Sequence, residues 1–153
     1  MTPLLFDPGE QWEYGSNIDW AGQVVEGITG QRLGEVFQKR IFEPLGMKNA
    51  VFGRPDALKD QFAVIYNVNP EGKLAASGAL DAPGSATRVL GGFSVSTTAA
   101  DYGRFAQMLV NSGELDGVRI LSRKTIDLMD SNHLPAGVLR GAAGGGTAAG
   151  EGY

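Results

Sequence analysis

Pro8-Gly9-Glu10-Gln11-Trp12-Glu13-Tyr14-Gly15-Ser16-Asn17-Ile18-Asp19-Trp20 is the stretch on which the reading of this chain turns. A Pro-Gly turn leads past Trp12 to a tyrosine, and the small polar residues Ser16 and Asn17 follow at the mouth of a helix. Ile18, Ala21, Val25 and Ile28 then recur at helical spacing with Gly30 as a stop, which predicts a helix over 19–29 capped by Ser16 or Asn17. A phenol in front of such a helix can take up and return a proton when nearby cations lower its pKa. An amphipathic tyrosine packed beside Trp12 accounts for the same residues.

Working outward, Leu33, Val36, Phe37 and Ile41 predict a second helix over 33–42, which Pro44 ends, and Leu45-Gly46-Met47 makes a turn. Strand-forming residues over 62–66 precede the turn signal Asn69-Pro70-Glu71-Gly72, which gives a short strand or hairpin. The stretch 75–92 is small, Gly- and Pro-punctuated and without period, and reads as a long loop of the kind that tends to carry function. Thr97 or Thr98 caps a third helix reaching Asn111, with Asp101 at its positive end and Tyr102, Phe105, Ala106 and Leu109 as the inward stripe. A tight turn and short extended piece are expected over 114–121, then a last helix over 122–130 with Ser122 as N-cap and Ile126 and Met129 on one face.

Six stretches read together, Tyr14-Gly15-Ser16, Gly22 to Gly30, Ile41 to Met47, Gly91 to Thr97, Asp101 to Leu109 and Asp116 to Ser122, carry a resemblance. Over about residues 3–134 the chain resembles the serine β-lactamase and penicillin-binding-protein superfamily, in its family VIII carboxylesterase and class C β-lactamase branch. The resemblance implies an α+β, β-lactamase/transpeptidase-like fold, of which this chain covers mainly the helical subdomain with a few short strands. It assigns residues 1–140 to the central part of a serine hydrolase domain and leaves 141–153 as a mobile tail, in which 141–152 is rich in glycine and without a large apolar side chain. Tyr14 matches the proton carrier beside a Ser-x-x-Lys nucleophile, Ser16 or Asn17 matches the residue that holds substrate, and Phe93 matches an aromatic residue on the pocket rim. The implied partner is a small ester or amide substrate of an intact relative, with the esterase branch favoured.

The nucleophile motif is missing from these 153 residues. Ser16, Ser77, Ser85, Ser94, Ser96, Ser112, Ser122 and Ser131 are followed three places on by Asp, Leu, Arg, Thr, Ala, Leu, Thr and Leu. Ser85-Ala86-Thr87-Arg88 comes nearest, but a guanidinium stays protonated and cannot act as the neutral base. Lys124-Thr125 imitates the Lys-Thr-Gly strand, yet Ile126 replaces the glycine and the surroundings read as helix. The chain alone is therefore expected to be inactive, and the alternative is a non-catalytic helical binding or interaction module derived from the same family.

Composition bounds the remaining classes. A net charge of −4 argues against nucleic-acid and anionic-membrane partners, and 42% hydrophobic residues in 153 suit one domain with a core. No apolar run approaches the roughly 20 residues of a membrane span. With no cysteine and one histidine, His133, which reads as a helix-end cap or a solvated side chain, neither metal nor cofactor is expected. Glu10, Glu13, Asp19 and Glu26 read as solvated charges. The compartment, bacterial cytoplasm or periplasm, stays open. Apolar faces that meet the sheet in an intact relative would be exposed here, available for self-association or for a complementing chain.

Overall fold

The computed structural model describes residues 6–7, 9–13, 15–77, 91–92, 94–134 and 139–140. Tyr14, Phe93, most of the long loop expected over 75–92 and the Gly-rich tail lie outside the described residues. Among those described, four α-helices carry the packing, and eight short strands pair two by two.

Helix α1 (Asn17–Thr29) starts earlier than the apolar period indicates. Ser16 stands at its N-cap position, and its carbonyl accepts from the amides of Asp19 at 3.0 Å and Trp20 at 3.2 Å. The Ser16 side chain makes no capping bond, and Asn17 lies inside the helix, so neither residue caps as expected. The far end closes as predicted, where Gly30 at φ 65° donates to the Glu26 carbonyl at 2.8 Å.

Helix α2 (Leu33–Phe37) follows, and its first amide is satisfied from outside, since Leu33 N donates to Glu26 Oε1 of α1 at 2.8 Å. Glu26 is therefore a structural acceptor rather than a solvated charge. From Phe37 the chain runs into a π-helical turn, Gln38–Phe42, marked by Glu43 N donating to the Gln38 carbonyl at 2.9 Å. The wider turn sets Phe42 beside Phe37, with ring centroids 6.0 Å apart, and Phe52 meets Phe37 edge-on at 5.0 Å and stacks on Phe42 at 6.4 Å. The turn at 45–47 then closes the helix, with Met47 N on the Phe42 carbonyl at 2.8 Å, Gly46 N on the Glu43 carbonyl at 3.0 Å and Gly46 at φ 65°. Those paired bonds, with Phe42 against Met47, make a Schellman closure.

The core forms where this closure lands on α3 (Ala99–Val110). Phe42, Leu45, Met47, Ala50 and Met108 are buried together, and Phe37, Ile41, Phe52, Phe105, Leu109, Leu115 and Ile120 pack around them. Leu45 and Met108 are fully enclosed. Thr98 caps α3 as predicted, its hydroxyl accepting the Asp101 amide at 3.2 Å. The predicted inward stripe holds at Phe105 and Leu109, which pack on the core, and fails at Tyr102. Asp101 is buried and accepts the Asn49 amide at 2.6 Å, Met108 follows on the same face, and Tyr102, one residue round the helix, is 60% exposed. The backbone of the turn at 47–50 needs an acceptor, and that need turns α3 toward Asp101. Arg104 adds a second tie, donating from Nε to the Leu45 carbonyl and from Nη2 to Asp116 Oδ2.

Strand pairing is local in two cases. Strands β6 (Glu114–Leu115) and β7 (Val118–Arg119) are joined by Asp116 at φ 50° and Gly117 at φ 80°, the tight turn expected within 114–121. Strands β3 (Tyr66–Val68) and β4 (Leu74–Ala76) flank a turn in which Asn69 N donates to the Lys73 carbonyl and Lys73 N to Asn69 Oδ1, both at 2.8 Å. The strand expected over 62–66 is corrected: it begins at Tyr66, the turn sets its register, and Phe62 instead lies under the Arg54 guanidinium at 4.5 Å. Residues 75 and 76, expected in the loop, belong to β4. A 3₁₀ turn, Asp56–Gln61, precedes Phe62.

Two other pairings were not foreseen. Strand β2 (Val51–Phe52) pairs antiparallel with β5 (Val95–Ser96), and β1 (Gln11–Trp12) pairs parallel with β8 (Leu139–Arg140). Helix α4 (Arg123–Met129) confirms that Lys124-Thr125 lies on a helix; Ile126 is buried, while Met129, three places on, is 53% exposed.

The caps give a paired prediction. Ser122 Oγ accepts the Thr125 amide at 3.1 Å, so Ser122→Ala is expected to cost about 1 kcal/mol in urea unfolding. Ser16→Ala, with no capping bond to lose, is expected to change stability by no more than about 0.5 kcal/mol.

Candidate functional site

The stretch ahead of α1 acquires a neighbour only through tertiary structure. Gly92 N donates to Asp19 Oδ1 at 2.9 Å, across a separation of 73 residues. Gly91 lies so close to α1 that a Cβ there would stand 2.3 Å from the Ile18 carbonyl oxygen. One turn along, a Cβ on Gly22 would stand 2.9 Å from Leu33 Cδ2 and 3.4 Å from the Gly91 Cα. Two glycines thus let α1 and the 91–92 backbone touch where any side chain would part them. On the far side, Ser94 is held by its carbonyl, which accepts from Gly53 N at 2.6 Å next to the β2–β5 pairing.

Of the residues singled out from sequence, Ser16 and Asn17 are exposed at the start of α1, one turn from this contact. Tyr14 and Phe93, outside the described residues, are their neighbours in sequence: Tyr14 lies two places before Ser16, and Phe93 follows Gly92. The structure therefore brings together the two segments that carry the candidates. Asp19 is the residue that sequence reasoning missed, having been read as a solvated charge. It is half-buried, with a backbone amide as its partner, and the signal that could have found it is the Gly91-Gly92 pair, two residues with nothing to offer but close approach.

His133 behaves as a helix-end cap. Its Nε2 is 2.6 Å from the Leu128 carbonyl oxygen and 3.2 Å from Ser131 Oγ, beside the C-terminus of α4. Among the described residues no group of three or more His, Cys, Asp or Glu side chains comes together to hold a metal, and no helix is long and apolar enough to cross a membrane.

The outer face of α1 is apolar and open. Ile18, Trp20, Val24 and Ile28 are 62%, 70%, 59% and 80% exposed, and Gly22 is the helix's buried residue. Of the stripe that the sequence marked, Ile18, Ala21 and Ile28 are exposed and Val25 is half-buried.

Known proteins resemble this chain over most of its length. The Beta-lactamase family model matches residues 1–153. A lovastatin esterase of Penicillium rubens is 36% identical over 138 residues, which is 86% of this chain and 33% of that protein. A monacolin J acid methylbutanoyltransferase of Aspergillus terreus is 32% identical over 130 residues, 83% of this chain and 30% of that protein. The unliganded simvastatin synthase structure from Aspergillus terreus superposes with a TM-score of 0.78 at 28% identity, over 90% of this chain and 34% of that one. The architecture is thus a β-lactamase/transpeptidase-like α+β fold in part, and the chain spans about a third of the length of the relatives it matches.

Proposed function

Because this chain belongs to the Beta-lactamase family, we propose that it is the central part of a serine hydrolase of the esterase or acyltransferase kind. In that reading Tyr14 is the proton carrier, Ser16 or Asn17 contacts the substrate, and Phe93 forms one wall. The observation that supports it is the meeting of the first turn of α1 with Gly91–Gly92, which joins the segment after Tyr14 to the segment before Phe93. A serine hydroxyl of a Ser-x-x-Lys element, absent from these residues, attacks the acyl carbonyl as its proton passes to the Tyr14 phenolate. The C–O bond of the ester breaks, and the leaving alcohol takes a proton from Tyr14. Water or a second alcohol then accepts the acyl group. Similarity to both an esterase and an acyl transferase supports either acceptor.

The 153-residue chain itself is proposed to be inactive, since it holds a proton carrier without a nucleophile and its lysine. Purified chain given a p-nitrophenyl ester or a chromogenic cephalosporin is expected to show no burst, and no turnover above a Tyr14→Phe control. Tyr14-dependent hydrolysis, or a phosphonate adduct found on any side chain by mass spectrometry, would overturn this reading. DNA upstream of the Met1 codon is expected to encode an in-frame Ser-x-x-Lys. In the longer product Tyr14→Phe is expected to lower kcat by about a hundredfold or more. An authentic start at Met1 would instead favour a helical interaction module, the second reading, which the uncovered apolar face of α1 supports.

A further inference from the structure

We infer that Asp19 is a positioning residue: by accepting the Gly92 amide, its carboxylate sets the distance between the first turn of α1 and the backbone that leads into residue 93. The glycines permit this approach but supply no direction. Gly91 presents only backbone to the Ile18 carbonyl, and Gly22 only backbone to Gly91. Ser16, which opens the helix, makes no capping bond that could steer it. The Asp19–Gly92 bond at 2.9 Å is directional and charge-assisted, and it originates in the first turn of α1, where the helix's positive end favours a carboxylate.

The other side of residue 93 is tied separately. Ser94 accepts from Gly53 at 2.6 Å, and Val95–Ser96 pair with Val51–Phe52. The residues flanking position 93 are thus fastened to two elements, α1 through Asp19 and β2 through the strand pairing. Loss of the Asp19 bond frees one of the two while leaving the core around Leu45 and Met108 intact. What Asp19 positions for catalysis rests on the proposed role of Tyr14 and Phe93; the clamp itself does not.

The chain has no cysteine, so nitroxides can be placed cleanly at Gln23→Cys and Thr97→Cys, both exposed and neither part of the site. Electron paramagnetic resonance would read the distance between α1 and the segment leading to α3, and amide exchange would read Gly92. Asp19→Ala is expected to broaden the distance distribution and to speed Gly92 exchange about tenfold, with an unchanged urea midpoint. Asp19→Asn is expected to restore both, because its amide oxygen accepts the same N–H. Gly91→Ala is expected to lengthen the mean distance, since its Cβ meets the Ile18 carbonyl. An Asp19→Ala distribution and exchange rate equal to wild type, or an Asp19→Asn variant that behaves like Asp19→Ala, would overturn the inference. These readouts need no turnover, so failure of the Tyr14 reading appears only in the hydrolysis assays.

Discussion

Met108→Ala is expected to lower the unfolding free energy by about 3 kcal/mol, within the range of roughly 2–5 for truncating a buried methionine to alanine. Met108 is fully enclosed, at the point where α3 receives the Schellman closure of the preceding helix. Its neighbours are fixed from several directions, which limits collapse into the cavity. Leu45, also fully enclosed, is held by its own carbonyl on Arg104, and the turn at 47–50 is held by Asp101 on the Asn49 amide. Surroundings that cannot relax keep the void, and the cost then includes the lost contacts as well as the lost transfer energy. Urea unfolding followed by circular dichroism checks the value. A loss below about 1 kcal/mol would show that α3 shifts to fill the space.

Gly113→Ala is expected to be comparably damaging, at about 3 kcal/mol or more, for a backbone reason rather than a packing one. Gly113 has φ 93°, and a Cβ would stand 2.2 Å from the Leu121 carbonyl oxygen. The residue cannot move aside, because its amide donates to the Met108 carbonyl at 2.9 Å and its carbonyl accepts from Ile120 at 2.9 Å and Leu121 at 3.2 Å. Ser112 at φ 55°, whose amide donates to the Leu109 carbonyl at 2.9 Å, completes a second Schellman closure that ends α3. Gly117→Ala is the control. Its φ of 80° is similarly unfavourable, but nothing lies within 4 Å of the added carbon, so a loss of about 1 kcal/mol is expected. Equal losses at the two positions would mean that conformational strain alone, and not the contact with Leu121, decides the outcome.

What could be read from the sequence was local. Thr98 and Ser122 announce their helices because a hydroxyl in front of an apolar period has one obvious use, and Gly30 and Asp116-Gly117 mark places where only certain residues tolerate positive φ. The two-residue strands β2 and β5 left no such mark. A pair that short has too few side chains for an alternating pattern, and its partner lies more than forty residues away. The inward face of α3 was read correctly at Phe105 and Leu109 but with Tyr102 in place of Asp101, because hydrophobic periodicity assigns a carboxylate to the outside and an aromatic ring to the inside by default. Asp101 faces inward to serve an amide that no pattern on its own helix reveals. The stripe on α1 was legible as a stripe, but periodicity cannot say whether anything covers it. For the candidate site, resemblance named Tyr14, Ser16, Asn17 and Phe93. Asp19 emerged only once the 91–92 backbone was found against it.

The π-helical turn at Gln38–Phe42 holds one residue more than a regular turn needs, so chain length there is forgiving in one direction only. Each residue of an ordinary helix advances the backbone by about 100°. Deleting one of the exposed residues Gln38, Lys39 or Arg40 would let the segment relax to regular winding with Pro44, Leu45 and Met47 kept close to their present angle, still facing α3. Inserting a residue would add about 100° that nothing takes up and would swing them away. Divergence in this part of the chain should therefore accumulate as exchanges of side chain and single losses, and not as insertions.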